Sequence, residues 1–130
     1  ICYESAYAPL VRDFVRDGAQ AIVVSTSDRS YGRSGIPATH VATAQMRAAE
    51  TGRPVVQAAI SGESAVIDDH GRVLQHTSLF TKAIVTATIT TTTGETPFVR
   101  FGEWVLAGSA LALLAAAALV ARRELRRARS

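Results

Sequence analysis

The apolar positions of the chain change period several times over its first hundred residues. Ile1-Cys2-Tyr3-Glu4 reads as a strand end and a turn. Leu10, Val11, Phe14 and Val15 then share a helical face behind Pro9, a residue suited to a first helical turn, and Gly18 supplies the stop. Ala21-Ile22-Val23-Val24-Ser25 is a short β-branched run of the kind buried on both faces of a sheet. Residues 26–37 are polar and carry glycines, which predicts a loop. Helix formers dominate from Pro37 to Glu50, with Ala42, Met46 and Ala49 on one face, and Gly52 ends the segment. Residues 54–59 and 64–68 read as strands, and Asp69-His70-Gly71 between Ile67 and Val73 predicts a hairpin turn. A last strand is expected over residues 83–89, continued by a threonine-rich stretch to residue 93. Strands alternating with helices predict a layered α/β domain with right-handed crossovers.

After residue 98 the pattern breaks. Trp104 to Ala121 holds no charged residue, and its leucines point all round a helix, leaving no polar face. Eighteen residues make a helix of about 27 Å, close to the roughly 30 Å of a bilayer core. Trp104 suits an interfacial anchor and the arginines beyond Ala121 suit a cytoplasmic flank, so a membrane span is expected rather than a buried alanine-rich helix. Gly108 and Ala112 form a small-xxx-small pair that favours helix packing. The expected organisation is a globular domain over residues 1–98, a linker at 99–103, a transmembrane helix at 104–121 and a basic tail at 122–130.

Charge changes this picture in one respect. The tail carries five arginines against Glu124, a net of +4; the whole chain is +3, so residues 1–121 carry −1. The high isoelectric point therefore belongs to the tail, and no basic face for nucleic acid is implied. The 130 residues suffice for one domain of modest core. The first residue is not Met and already has the character of a strand interior, so the chain is expected to be a piece of a longer protein.

The candidate chemistry starts at Cys2, the only cysteine, which excludes an internal disulfide and a cysteine-rich zinc site. A thiol at a strand tip before a helix is placed to have its pKa lowered by backbone N–H groups and the helix dipole. A lone cysteine is also commonly a small buried hydrophobe, and Cys2 by itself leaves both roles open. His70 and His76 fall in turn-like segments without ligand spacing, so neither metal nor cofactor is expected.

Ordered blocks along nearly the whole chain narrow the choice. They are Ile1-Cys2-Tyr3-Glu4; Arg16-Asp17-Gly18-Ala19-Gln20 before the Ile22 strand; Ser27-Asp28; Tyr31-Gly32-Arg33-Ser34; Pro37 with His40; Gln45 through Val56; Ser61 through Asp68 with Gly71; and Thr96-Pro97-Phe98. In this order and spacing the chain resembles the C-terminal part of the apolipoprotein N-acyltransferase family, a membrane branch of the nitrilase (carbon–nitrogen hydrolase) superfamily. The resemblance implies a four-layer α-β-β-α sandwich outside the cytoplasmic membrane of a bacterium, held by membrane helices. It implies a Glu-Lys-Cys catalytic set whose cysteine matches Cys2, with the glutamate and lysine supplied by an upstream part of the same enzyme. The implied partners are a phospholipid acyl donor, a lipid-modified apolipoprotein acceptor and the membrane itself.

By the same matching, Tyr3 and Glu4 lie beside the nucleophile. Glu4 is expected either to form a structural ion pair or to act in catalysis by orienting the lysine or the incoming amine. Arg47 and Glu50, at i and i+3, read as a scaffold pair, and His40 as a structural histidine. The chain departs from the family pattern at Ser27, at Ser30-Tyr31, at residues 36–39 and at Ser61. Those positions fall in expected entrance loops, which makes Tyr31 and Ser61 the candidates for substrate selection. Two other readings stay open: a membrane-anchored amidase or hydrolase using water as acceptor, and a degenerate domain retained for binding.

Overall fold

A computed structural model describes residues 3–127. Two compact units meet between Arg100 and Phe101, the first reaching back to the start of the chain and the second holding the C-terminal helix.

In the first unit a 3-10 turn at Glu4–Ala6 leads into helix α1, Ala8–Arg16. Pro9 stands in the first turn of α1, and Gly18, just past the helix, adopts φ +103°, so the expected start and stop both appear. Strand β1 covers Ile22–Thr26, helix α2 Ile36–Thr51 and strand β2 Val55–Ala59. β1 and β2 pair in parallel with Ile22 opposite Val55 and Thr26 opposite Ala59. A parallel pair requires a crossover, and α2 is that crossover. Gly52 closes α2 in the left-handed conformation, φ +64°. Strands β3, Ala65–Ile67, and β4, Val73–His76, add antiparallel through the predicted hairpin, where Gly71 takes φ +82°. The sheet order is β1-β2-β3-β4, and the α/β expectation is met.

The core lies between α2 and one face of the sheet: Val41, Ala44 and Ala48 of the helix against Val24, Val55, Ala65 and Ile67. Alanines at i and i+4 let the helix approach the strands closely, which sets which of its faces turns inward. The stripe Ala42, Met46 and Ala49 is therefore the outer face, with Met46 more than half exposed. The expectation that β1 is buried on both faces is corrected too. Val24 is buried while Val23 is 74% exposed, because helices cover one face of the sheet in the described residues and the other stands open at β1.

The strand expected over residues 83–89 does not form. This stretch has strong β propensity, but a strand exists only where a ladder partner satisfies its backbone, and here none does among the described residues. The segment instead runs over β2 and β3, with Ala83, Ile84 and Val85 lining a shallow pocket against Val56 and Val66. Its far end is tied down by Arg53, whose Nε donates to the Ala19 carbonyl (2.9 Å) and Nη1 to the Gly94 carbonyl (2.9 Å) and Thr92 Oγ1 (3.0 Å).

Helix α3, Pro97–Phe101, runs into the linker expected at 99–103, and Val99 is fully buried. Arg12 of α1 donates from Nε to the Phe98 and Val99 carbonyls (3.1 and 2.8 Å), capping the orphan carbonyls at the end of α3. The second unit is helix α4, Trp104–Arg127. Its segment Trp104–Arg122 is long and apolar enough to cross a membrane, and its apolar side chains are exposed on all sides.

Candidate functional site

Parallel strands deliver their C-terminal ends to one edge of a sheet, and in α/β folds ligands bind in the loops leaving that edge. Here those loops are residues 27–35 after β1 and residues 60–64 after β2, and they touch. The Ile60 N–H donates to the Thr26 carbonyl (3.1 Å), continuing the strand pairing into the loops.

Asp28 joins them. It is fully buried at the exit of β1. Its Oδ1 accepts from Thr26 Oγ1 (3.2 Å) and pairs with His40 Nδ1 (2.7 Å) on the second turn of α2. A buried carboxyl group is costly unless hydrogen-bonded, so these contacts are what permit it there. Its main-chain carbonyl accepts the Tyr31 N–H (3.0 Å), folding residues 29–31 into a 3-10 turn. The Tyr31 ring stands edge-on to His40, centroids 5.8 Å apart and planes at 83°. On the other side of Asp28, Gly62 packs directly against the carboxyl group.

A third segment closes on the same place. The Arg33 guanidinium lies 5.6 Å from the Phe80 ring centroid, a cation–π contact, and the Phe80 N–H donates to the Ser61 carbonyl (3.3 Å). Phe80 has φ +55°, a conformation that a bulky residue adopts only where its surroundings impose it. The Ser61 hydroxyl is buried and meets no hydrogen-bond partner among the described residues.

Cys2 lies outside the described residues. Tyr3 and Glu4 are exposed, the Tyr3 ring edge-on to Tyr7 at 5.5 Å. Glu4 lines a groove of about 610 Å³ between α1 and β1, whose walls include Leu10, Phe14, Val23 and Ser25. The structure thus gathers Tyr31 and Ser61 around Asp28, and places Glu4 in an apolar groove along the sheet's edge strand. The turn that carries Glu4 packs against α2, the helix that carries His40.

Arg47 and Glu50 form the expected i,i+3 ion pair at 3.2 Å. Asp68, Asp69 and His70 bring their ligand atoms within 4.8 Å of one another, a grouping that the histidine spacing did not foretell. Asp68 is already engaged in the hairpin turn, accepting the His70 and Arg72 N–H groups at 3.0 and 2.8 Å. Asp28 and His40 stood in the sequence as parts of two family blocks, but sequence reasoning gave Asp28 no role in the site and did not foresee that the two meet.

This mixed sheet, with its crossover helix and its gathered strand-exit loops, belongs to the carbon–nitrogen hydrolases: that family matches residues 1–98, and the chain is a member of it. Among curated proteins the chain is similar to the apolipoprotein N-acyltransferase of Shewanella oneidensis, 38% identical over 103 residues, 79% of this chain and 20% of that protein. The apolipoprotein N-acyltransferases of Nitrosomonas europaea (37% over 121 residues) and Geobacter metallireducens (34% over 127 residues) cover 93% and 98% of this chain and 24% of their own lengths. The chain spans between a fifth and a quarter of the relatives it matches.

Proposed function

We propose that the chain is the nucleophile-bearing part of a membrane-bound N-acyltransferase that moves a fatty acyl group from a phospholipid to the terminal amine of a lipid-modified protein. The observation that carries this reading is the similarity, over nearly the whole chain, to proteins named for that activity. The apolar helix Trp104–Arg122 supports it, since an enzyme that takes a phospholipid as substrate works at a bilayer.

In this reading the Cys2 thiolate attacks the ester carbonyl of the phospholipid. The tetrahedral intermediate collapses to a thioester on Sγ, and the lysophospholipid leaves as an alcohol after taking a proton. The amine of the acceptor's terminal cysteine attacks the thioester, an amide forms and the thiol returns. A glutamate serves as base and a lysine holds the oxyanion, both from sequence upstream of Cys2. Glu4 orients the lysine or the amine, and Tyr3 packs beside the nucleophile. Tyr31 and Ser61 contact substrate at the entrance. The open face of the sheet receives a second sheet, completing the four-layer sandwich. The domain lies outside the cytoplasmic membrane of a bacterial cell, held by several membrane helices in the complete protein.

The test is covalent. Full-length enzyme given phospholipid and no acceptor is expected to gain an acyl mass on the Cys2 peptide that hydroxylamine removes. Cys2→Ser is expected to lose turnover by about a thousandfold or more, because an alkoxide is far harder to generate than a thiolate. A Cys2→Ala enzyme that still acylated its acceptor would refute the mechanism, and transfer to water in place of the amine would make the protein a hydrolase.

A further inference from the structure

The buried carboxyl group of Asp28 touches three elements at once: the end of β1 through Thr26, the second turn of α2 through His40, and the turn after β2 through Gly62. From His40 the chain of contacts continues to the Tyr31 ring, and Tyr31 is 43% exposed. The contacts thus lead from a buried acid to an aromatic ring that faces solvent. Its other arm ends beside Ser61, a buried hydroxyl with no partner among the described residues. Buried polar groups are paired in folded proteins, so a hydroxyl left without a partner marks a place where a further group can enter.

We propose that Asp28 and His40 are positioning residues that hold Tyr31 and the Ser61–Gly62 turn in register as one substrate-selecting mouth. The proposal rests on the reading above, in which Tyr31 and Ser61 contact substrate. Each half of the device has a distinct task. The 2.7 Å contact to Asp28 orients the His40 ring, and that ring meets Tyr31, whose backbone is held by the 3-10 turn and by the Ser34 N–H on its carbonyl (3.1 Å). The same carboxyl group sets how near the Ser61–Gly62 backbone comes to β1. Contacts at the mouth hold substrate equally before and during the reaction, so their loss weakens binding without slowing the bound step. Loss of a positioning residue is therefore expected in KM and selectivity before kcat.

Two substitutions at His40 separate the hydrogen bond from the ring. His40→Asn keeps a donor toward Asp28 and removes the ring; His40→Phe keeps the ring and removes the donor. Full-length protein with fluorotyrosine placed at position 31 reports ring placement by fluorine NMR, and acyl-transfer kinetics report its consequence. Both variants are expected to shift or broaden the fluorine signal, and to raise KM for the acyl donor about 5- to 20-fold with kcat within about threefold. Tyr31→Ala is expected to give the same KM change, with no further loss when combined with His40→Asn. An unchanged fluorine signal and unchanged KM in folded His40→Asn and His40→Phe proteins would overturn the positioning role while leaving the acyltransferase reading intact. So would a KM change in His40→Asn that Tyr31→Ala fails to reproduce. If the wild-type protein transfers no acyl group, the functional reading fails, and the fluorine signal alone then decides whether Asp28 and His40 position Tyr31.

Discussion

Gly62 lies so close to Asp28 that a Cβ added to it would stand 1.9 Å from Oδ2 and 2.9 Å from the Asp28 Cβ. The glycine is not there for its backbone angles, since its φ lies outside the left-handed region. It is there because two loops meet over a buried acid, and Asp28 has no freedom to withdraw while bonded to His40 and Thr26. Gly62→Ala is expected to destabilise the protein by about 1–3 kcal/mol, the range of an overpacked buried site. Gly94, with open space at its Cβ position and no positive φ, is the control: Gly94→Ala is expected to change stability by less than about 1 kcal/mol. Thermal unfolding of the detergent-solubilised protein measures both. Equal melting temperatures for the two variants would mean that the contact with Asp28 can relax.

Arg53 is the second place where one side chain holds distant parts together. It is 96% buried by its 4% exposure, and it bonds to the carbonyls of Ala19, Gly52 and Gly94 and to Thr92 Oγ1. Arg53→Lys keeps the charge but loses the planar fork that reaches the Ala19 and Gly94 carbonyls from different nitrogens. A loss of about 2–4 kcal/mol is expected. Hydrogen exchange at residues 90–96 is expected to rise well before that of the β2 amides. Uniform acceleration across the unit would show that Arg53 supports the whole fold rather than this segment.

These two residues also mark how far the sequence could be read. Elements set by local periodicity and by glycine were legible: α1, β1, α2, β2 and the β3–β4 hairpin all lie where spacing predicts, and Gly18, Gly52 and Gly71 adopt positive φ at their ends. The inner face of α2 was not, because the helix carries two alanine stripes and only the sheet decides which one it meets. Residues 83–89 have the composition of a strand, but pairing is a tertiary event that composition does not contain. The site divides in the same way. Tyr31 and Ser61 stood out in the sequence as departures from a family pattern, while Asp28 kept that pattern and was given no role in the site. Asp28 and His40 meet through a loop and a helix turn, so their 2.7 Å contact is visible only in the fold.

The β3–β4 hairpin has its own titratable lock. The N–H groups of Arg72 and His70 hold the Asp68 carboxyl below its ordinary carboxylate range, with the Arg72 bond the largest cause. A depressed folded pKa means that the ionised form is favoured by folding. The stabilisation is thus complete above the ordinary aspartate pKa and is lost as pH falls through the lower, folded value. The turn is expected to stay closed at neutral pH and to loosen in strong acid, seen as faster exchange of the Arg72 and His70 amides after correction for intrinsic rates. Asp68→Ala is expected to show the loosened turn at every pH. Protection at these two amides that is unchanged by Asp68→Ala would assign the turn to Gly71 instead.

The last prediction concerns the membrane. Helix α4 presents apolar side chains on every side from Trp104 to Arg122, an arrangement that in water would expose Leu111, Leu113 and Leu114 without cover. A bilayer removes that cost, and the run has the length to reach across one. Orientation follows from the flanks: Arg122, Arg123, Arg126, Arg127 and Arg129 against a single glutamate on one side, and Trp104 on the other. Basic residues stay on the cytoplasmic side, so the tail is expected inside the cell and the residue 1–100 unit outside. A reporter that works only in the cytoplasm is expected to be active when joined after residue 130 and silent when the chain is cut and joined before Trp104. Replacing the five arginines by glutamine is expected to leave the helix inserted but to mix the two orientations, because hydropathy sets insertion and basic charge sets direction. The reverse reporter pattern would place the unit that carries Cys2 in the cytoplasm, away from lipid-modified proteins on the outer side, and would end the acyltransferase proposal on topology alone.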